Sequence, residues 1–518
     1  MIAASHFQED IFRFIREERG NLVVQACAGS GKTSTIVMAL DHVPSRASVL
    51  VLAFATQAAE DLADKVPKGI GVRTLHSYGF AVVRRHFRAV VYNKFRLPNL
   101  VRVVLGNDPD ESDDRDAVAE IVRYAKGALA STPEELDDLI DEYDLEQGEL
   151  SLERGELVAA AARVLKLCRD PHCAGAPVDP KRGKWSPEWR LVSPPAPEVD
   201  YDDMCWLPVV LNIPGAQYDF VFVDETQDLN PCQIELAMRI PRSPEGRVCA
   251  LGDRRQSIYR FRGADASAMG NVVRRLGATT LPLSVSYRCA RRIVDVAQRL
   301  APEIEAAPGA PEGLVEDITV ADMMERLEPG DMVLGRSNAP LVALCVSLIA
   351  EDRAAVIQGR DVGEMLVRFV KRSRQRTVAG LLQYIESWLG AEIARLGCRE
   401  PPRSTRGAED KAEVLRRAAD GADSVARVIE RLEGLFSNDV FGEIITLSTT
   451  HKAKGQERER VFVLVDTYAS DRSTEEENLF YVAVTRARSE LYLVHGDVSE
   501  LDDMQFAEGG EDEEQSGG

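Results

Sequence analysis

Between the start of the chain and about residue 85, short apolar runs alternate with amphipathic, helix-like segments; the apolar runs are residues 22–24, 49–54 and 72–75. Strand-length runs alternating with helices are the rhythm of a parallel α/β sheet. After Tyr92 the rhythm is lost. Acidic helical segments follow, then a stretch rich in Pro and Gly over residues 171–197 that carries Lys181, Arg182, Lys184, Trp185 and Trp189. Sheet-like runs return at residues 220–223 and 248–251, so an inserted subdomain interrupts the first α/β domain, which then resumes. A second α/β set starts near Leu281 and takes in residues 332–334, 354–357, 444–447, 461–465 and 491–494. It too is interrupted, by a helical, charged segment with a basic cluster of Arg368, Lys371, Arg372, Arg374 and Arg376. The expected fold class is α/β with two parallel-sheet domains. The first lies in two parts (1–92 and 206–278) around a helical insertion (93–205). The second lies in two parts (279–365 and 440–500) around a shorter helical insertion (366–439), and a tail (501–518) follows.

The first domain is organised around Ala26-Cys27-Ala28-Gly29-Ser30-Gly31-Lys32-Thr33, which follows Leu22-Val23-Val24 and precedes the helix-like Thr35-Ile36-Val37-Met38-Ala39-Leu40. Strand, glycine loop and helix in that order read as a phosphate loop, with Ala26 where the first Gly usually stands. Small residues let consecutive backbone N–H groups turn inward around phosphate oxygens, and the helix N-terminus adds its positive end. Lys32 supplies a mobile point charge for the outer phosphates, and the Thr33 hydroxyl is the expected Mg²⁺ contact. Ala28, Gly29, Ser30, Gly31, Lys32, Thr33 and Ser34 are the expected nucleotide contacts. The alternative, a glycine-rich turn that binds nothing, is disfavoured by the Gly-Lys-Thr ending and the flanks.

At 518 residues the chain has room for about three domains. No apolar run reaches the roughly 18 residues that span a bilayer, and Glu9, Asp10 and Arg13 stand where a signal peptide is apolar. A soluble, intracellular, cytoplasmic protein with no membrane partner is expected. The nine cysteines are scattered, and Cys27 lies inside the phosphate loop, where oxidation would block the site, so a reducing compartment follows. Cys168, His172 and Cys173 cluster without a second ligand pair at zinc-like spacing and read as a chance grouping. The net charge of −21 runs against a nucleic-acid partner, but carboxylates concentrate between Asp108 and Glu153 and in the glycine-rich tail 508–518. That tail is expected to be disordered and to offer a surface for protein partners. A locally basic groove remains compatible with the total.

Phe220-Val221-Phe222-Val223-Asp224-Glu225 is a buried-strand pattern ending in two carboxylates. A phosphate loop requires such a pair opposite it, Asp224 as a second Mg²⁺ contact and Glu225 as the base that activates water. Thr226-Gln227-Asp228 follows. The next strand ends in Gly252-Asp253 and leads into Gln256-Ser257-Ile258-Tyr259-Arg260-Phe261-Arg262-Gly263-Ala264.

With these motifs in order, the chain resembles a superfamily 1 DNA helicase of the UvrD/Rep type over most of its length outside the insertions and tail. The resemblance implies two RecA-like domains. Gln8 resembles the family's adenine-reading glutamine. Val51-Leu52-Ala53-Phe54-Ala55-Thr56-Gln57-Ala58-Ala59 and Arg73-Thr74-Leu75-His76-Ser77 resemble its first DNA-contacting motifs. Leu283-Ser284-Val285-Ser286-Tyr287-Arg288 resembles the motif whose Tyr stacks on adenine and whose Arg reaches the γ-phosphate. Thr450-His451-Lys452-Ala453-Lys454-Gly455-Gln456-Glu457 resembles the motif that couples DNA to nucleotide, with Gly455 and Glu457 on the nucleotide side. The stretch from Glu477 to Ala487 resembles the last motif, with Arg486 as arginine finger.

The resemblance implies ATP and Mg²⁺ as cofactors, with Lys32, Glu225, Gln256, Arg288 and Arg486 acting on the γ-phosphate as the two domains close. It also implies DNA contacts from Phe54, Thr74, His76, Tyr259, Phe261, Arg262 and His451, the aromatics stacking on bases. Three departures stand out: Ala55-Thr56-Gln57 replaces the usual Thr-Asn-Lys, Phe261 replaces a frequent Trp, and Gln456 replaces a common Leu. The implied activity is 3′-to-5′ translocation on single-stranded DNA with unwinding at single-/double-strand junctions. The short second insertion also suits a translocase that displaces proteins and unwinds little. A non-hydrolysing nucleotide-dependent switch would lack Glu225, Gln256 or Arg486, and all three are present.

Overall fold

The structure, a computed structural model, describes residues 4–108, 112–146, 150–183, 186–258, 268–397, 405–437, 444–468 and 473–498. Tyr259, Phe261, Arg262, Lys184, Trp185 and the acidic tail lie outside the described residues. The chain divides into two compact units, Met1–Ser284 and Val285–Gly518.

In the first unit the strands in chain order are β1 (Leu22–Ala26), β2 (Val49–Ala53), β3 (Gly71–Thr74), β4 (Val91–Tyr92), β5 (Ala174–Pro177), β6 (Trp189–Val192), β7 (Glu198–Val199), β8 (Phe220–Val223), β9 (Arg247–Gly252) and β10 (Thr279–Leu283). Among the described residues, six of them form one parallel sheet in the order β10-β1-β9-β8-β2-β3. Side chains alternate across a strand, so each apolar run must feed two cores. Val24, Val51, Phe222, Cys249 and Leu251 point to one face and pack with Ile11, Phe12, Ile36 and Leu62 of the helices α1 (His6–Glu17), α2 (Lys32–Ala39) and α3 (Thr56–Ala63). Val23, Leu50, Leu52, Val221, Val223 and Val248 point to the other face. They meet α4 (Leu75–Phe87) and the insertion, whose helices are α5 (Arg96–Leu105), α6 (Ser112–Ala128), α7 (Pro133–Tyr143) and α8 (Arg154–Cys168), followed by α9 (Asp203–Val210).

The insertion is locked to its exit by buried charge. Arg96 Nη1 lies 2.6 Å from Asp203 Oδ2, and Lys126 Nζ lies 2.7 Å from Asp200 Oδ2 and 2.8 Å from Asp203 Oδ1, all of them enclosed. Arg96 Nη2 also donates to the Cys168 and Asp170 carbonyls. Such a cluster holds only while every charge keeps its partner.

One boundary moves. The second α/β set was expected from residue 279, yet β10 pairs with β1 in register from Leu22 opposite Thr279 to Ala26 opposite Leu283. This strand therefore closes the first sheet, and the division falls after Ser284.

The second unit opens with a two-residue pair, β11 (Val285–Ser286) and β12 (Glu305–Ala306). It is then built on β13 (Leu314–Thr319), β14 (Met332–Gly335), β15 (Ala355–Gln358), β16 (Phe436–Ser437), β17 (Ile445–Thr449), β18 (Arg458–Leu464) and β19 (Ala487–His495). Among the described residues these make a parallel seven-stranded sheet in the order β13-β19-β18-β14-β17-β15-β16. Four insertion helices, Arg360–Arg372, Val378–Gly397, Arg406–Ala419 and Val425–Leu435, share one core with it. Asp410 ties them down by accepting the Asn338 and Ala339 backbone N–H groups that start the helix Ala339–Ala350.

Candidate nucleotide site and nucleic-acid contacts

In a parallel sheet the loops at the strand C-termini hold the ligands, and those of β1, β8 and β9 converge in the first unit. After β1 the chain turns through Gly29 (φ 71°) and Gly31 (φ 78°), left-handed conformations that favour glycine. Ser30 is buried within this turn, and its Oγ meets no hydrogen-bond partner among the described residues. Lys32 Nζ sits 3.4 Å from Glu225 Oε1. Asp224 follows directly on β8 and is buried; burial and the neighbouring Glu225 charge push its carboxyl up to about 7, and the Thr33 hydroxyl bonds to it. Glu225 takes a left-handed backbone (φ 50°), a strained state for a residue with a side chain.

A residue without an assigned role in the sequence reading stands between the acidic pair and Gln256. Gln227 Nε2 donates to Glu225 Oε2 at 2.6 Å, while Gln227 Oε1 accepts the Asp253 N–H at 3.0 Å. Gln256 Nε2 in turn donates to Asp253 Oδ2 at 2.8 Å. A Cβ at Gly252 would lie 2.7 Å from Gln227 Oε1, so the strand end must be glycine for this amide to cross it. The sequence signal for it was position alone, two residues beyond Glu225.

Gln8 is buried against the start of α2. Its Nε2 donates to Thr35 Oγ1 at 2.9 Å, Thr35 Oγ1 donates to the Gly31 carbonyl, and Gln8 Oε1 accepts the Ser5 N–H. The expected base reader is thus attached to the phosphate loop itself.

In the second unit Tyr287 is 41% exposed. Arg288 donates Nη1 to the Thr485 carbonyl at 3.1 Å and pairs through Nε with Glu457, which also pairs with Arg488. Arg486 is fully enclosed. Its Nε donates to the Val482 carbonyl, Nη1 to the Gln456 carbonyl and Nη2 to Thr485 Oγ1, at 2.8, 3.1 and 3.1 Å. Burial and the nearby Arg288 charge lower its pKa to about 10, which leaves it cationic at neutral pH. Gly455 has φ 87°, and Gln456, the departure from Leu, exchanges two 3.0 Å amide bonds with Gln358 at the end of β15. The amide pair is what the substitution provides.

Comparison with known proteins gives two family matches, an AAA domain over residues 8–262 and a UvrD-like helicase C-terminal domain over residues 445–494, which together take in more than half the chain. The chain is a UvrD-like superfamily 1 helicase by family. Among relatives, the ATP-dependent DNA helicase UvrD2 of Mycobacterium tuberculosis is 26% identical over 561 residues, 92% of this chain and 76% of that one. The ATP-dependent DNA helicase PcrA of Staphylococcus aureus is 23% identical over 317 residues, 57% of this chain and 40% of that one. For the Bacillus subtilis protein YjcD the match is 24% over 312 residues, 56% of this chain and 37% of that one. The chain thus spans well under half the length of the latter two. The UvrD-like assignment fits the two parallel sheets, each carrying a helical insertion.

The UvrD-like motifs expected to touch DNA are partly described. Phe54, just past β2, is 37% exposed. Thr74 caps α4 by accepting the Ser77 N–H. His76, in the first turn of α4, stacks on Tyr201 with ring centroids 3.9 Å apart and planes 19° apart, and burial lowers its pKa to about 4. His451 is half-buried in the short helix Thr450–Ala453. From the basic cluster of the second insertion, Arg368 and Lys371 lie on the helix Arg360–Arg372 and line a groove with Arg360, Glu364 and Glu433. The groove is mixed in charge. No described helix is long and apolar enough to cross a membrane, and the eight described cysteines are free thiols.

Proposed function

We propose that the protein hydrolyses ATP to translocate 3′ to 5′ on single-stranded DNA and unwinds duplex at single-/double-strand junctions. The observation that carries this is the convergence of Lys32, Thr33, Asp224, Glu225 and, through Gln227 and Asp253, Gln256 on one phosphate loop. The names of UvrD2 and PcrA, both ATP-dependent DNA helicases, support the substrate class. The direction rests on the resemblance to the UvrD/Rep type.

The loop amides and Lys32 hold the phosphates. Lys32 now neutralises Glu225 across 3.4 Å; on drawing toward the outer phosphates it leaves Glu225 free to orient the attacking water and take its proton. The residues fit a magnesium ion: two adjacent carboxylates, one enclosed and raised to about 7, favour a cation between them and the phosphates. Thr33 and Asp224 would hold it, and its charge would offset that of the β- and γ-phosphates. Arg288 and Arg486 would meet charge developing on the γ-phosphate. Arg486 must first release backbone carbonyls of its own unit.

Steady-state ATPase with and without single-stranded DNA, beside unwinding of 3′-tailed and 5′-tailed duplexes, tests the proposal. DNA-stimulated turnover and loss of only the 3′-tailed duplex are expected. Turnover indifferent to DNA, or a preference for 5′ tails, would refute it.

A further inference from the structure

At the root of the first insertion, outside every family motif, three aromatic rings face solvent: Tyr92 is 49% exposed, Phe95 57% and Tyr201 53%. The fold gathers them. β4 and β7 pair in parallel with Tyr92 opposite Val199, and the Asn93 N–H donates to the Val199 carbonyl, so Tyr92 and Tyr201 leave the same end of the pair. The two tyrosines lie close enough to influence each other electrostatically. Tyr201 spends one face on His76 and keeps half its surface open. Phe95 carries the Lys94 ammonium 5.1 Å from its ring centre.

Exposed rings of this size are normally buried for their apolar area. Here their surroundings point to a particular occupant. Arg73, Lys94 and Arg123 are exposed nearby, a basic setting in a chain of net charge −21. Two neighbouring carboxylates are tempered: Glu198 accepts from Asn93 Nδ2 at 2.7 Å, and burial raises Asp202 to about 6. Beside His76 a cavity of about 250 Å³ is lined by Arg123, Tyr124, Asp202, Asn230 and Gln233, and by Lys126, whose ammonium is already paired with Asp200 and Asp203. Stacked rings, flanking cations and an amide-lined recess suit an unpaired base with its phosphate.

We infer that Tyr92, Phe95 and Tyr201 form a base-stacking platform that carries single-stranded DNA from His76 onto the first insertion. The inference rests on the protein being a single-strand binder, and the experiment separates the two. A fluorescein-labelled oligothymidylate, and the same oligomer made abasic, are titrated into the full chain and into Tyr92→Ala, Phe95→Ala, Tyr201→Ala and Tyr201→Phe variants at several salt concentrations.

Each alanine variant should weaken oligothymidylate binding by about 5- to 150-fold, the span of base–aromatic stacking. Tyr201→Phe should bind as wild type, because it keeps the ring. The abasic oligomer should bind all variants alike, and the salt slope should stay constant because the phosphate contacts remain. Unchanged affinity in Tyr201→Ala and Tyr92→Ala overturns the platform, as does an equal loss for the abasic oligomer. A drop in oligomeric state in the same variants, read by light scattering, overturns it in favour of a self-association surface. Failure of the wild-type chain to bind either oligomer refutes the proposed function instead.

Discussion

Replacing Gln227 with Met preserves the length of the side chain and deletes both of its bridging hydrogen bonds, to Glu225 Oε2 and from the Asp253 N–H. The Asp253 end is enclosed, and an orphaned buried N–H costs about 1–3 kcal/mol. The Glu225 end is charge-assisted and its loss costs a similar amount, so the first unit should melt several degrees lower yet remain folded. The larger effect falls on the base. Glu225 sits on a strained left-handed backbone at φ 50°, and Gln227 fixes the carboxylate on it. Without that bond the carboxylate wanders on the scale of an ångström, a misplacement that costs about 10²-fold in rate.

The assay is turnover per folded molecule at saturating ATP and DNA, beside the affinity for a fluorescent ATP analogue. A kcat loss of about 10- to 100-fold is expected with affinity nearly unchanged, since Gln227 contacts no residue of the phosphate loop among its described hydrogen bonds. A double-mutant cycle then locates the effect. If Gln227 acts through Glu225, adding Gln227→Met to Glu225→Gln should cost less than about 2-fold more. The same fold-loss in both backgrounds, or a kcat loss that tracks the unfolded fraction, would refute the reasoning.

Lys32→Ala should abolish turnover while circular dichroism and melting stay near wild type, because the Lys32–Glu225 pair is partly solvent-exposed and stabilises little. Glu225→Gln should lower hydrolysis by about 10²-fold or more with ATP still bound, measured by single-turnover quench and nucleotide titration. His76, lowered from 6.5 to about 4 by burial, binds its proton in the unfolded chain first. Stability present above pH 6.5 is therefore lost as pH falls toward 4, amounting to about 2 kcal/mol between pH 7 and pH 5; urea melts should show this slope, and His76→Gln should flatten it. Asp203→Ala should destabilise the first unit by about 3–5 kcal/mol, since it leaves the buried Arg96 without its carboxylate and Lys126 with Asp200 alone, with the melting temperature as readout.

The strands were legible where burial on both faces leaves an unbroken apolar run, as in Phe220–Val223, every residue of which is buried. Lys32 with Thr33, and Asp224 with Glu225, stood out for a different reason: each pair lies within one short motif, although it is the sheet and not the spacing that brings Lys32 to 3.4 Å from Glu225. Thr279–Leu283 was not placed correctly. It is largely exposed and contains Pro282, and what assigns it to the first sheet is its register with β1, more than 250 residues earlier. The same limit hid Gln227 and Tyr201. Each acts on a partner brought by another element, Asp253 at the end of β9 and His76 in α4, and no periodicity along one stretch of chain encodes such a meeting.

The second unit completes the electrostatic picture from its own residues. Arg288 and Arg486 are joined through Thr485, whose carbonyl accepts from one and whose hydroxyl accepts from the other. Arg488 adds a third guanidinium through Glu457. Against these three, the described acidic partners are Glu457 and Glu459, so positive charge is in excess around Arg288. Enclosure intensifies it, since burial and Arg288 together lower the Arg486 pKa without discharging it. Arg486 spends all three of its described hydrogen bonds inside its own unit, whereas Arg288 keeps partial exposure and a carboxylate partner that an anion can replace. Of the two arginines, Arg288 is therefore the one whose exposure and exchangeable carboxylate leave it open to an anion, whereas Arg486, which holds Thr485 in place, would meet one only after releasing the Val482 and Gln456 carbonyls.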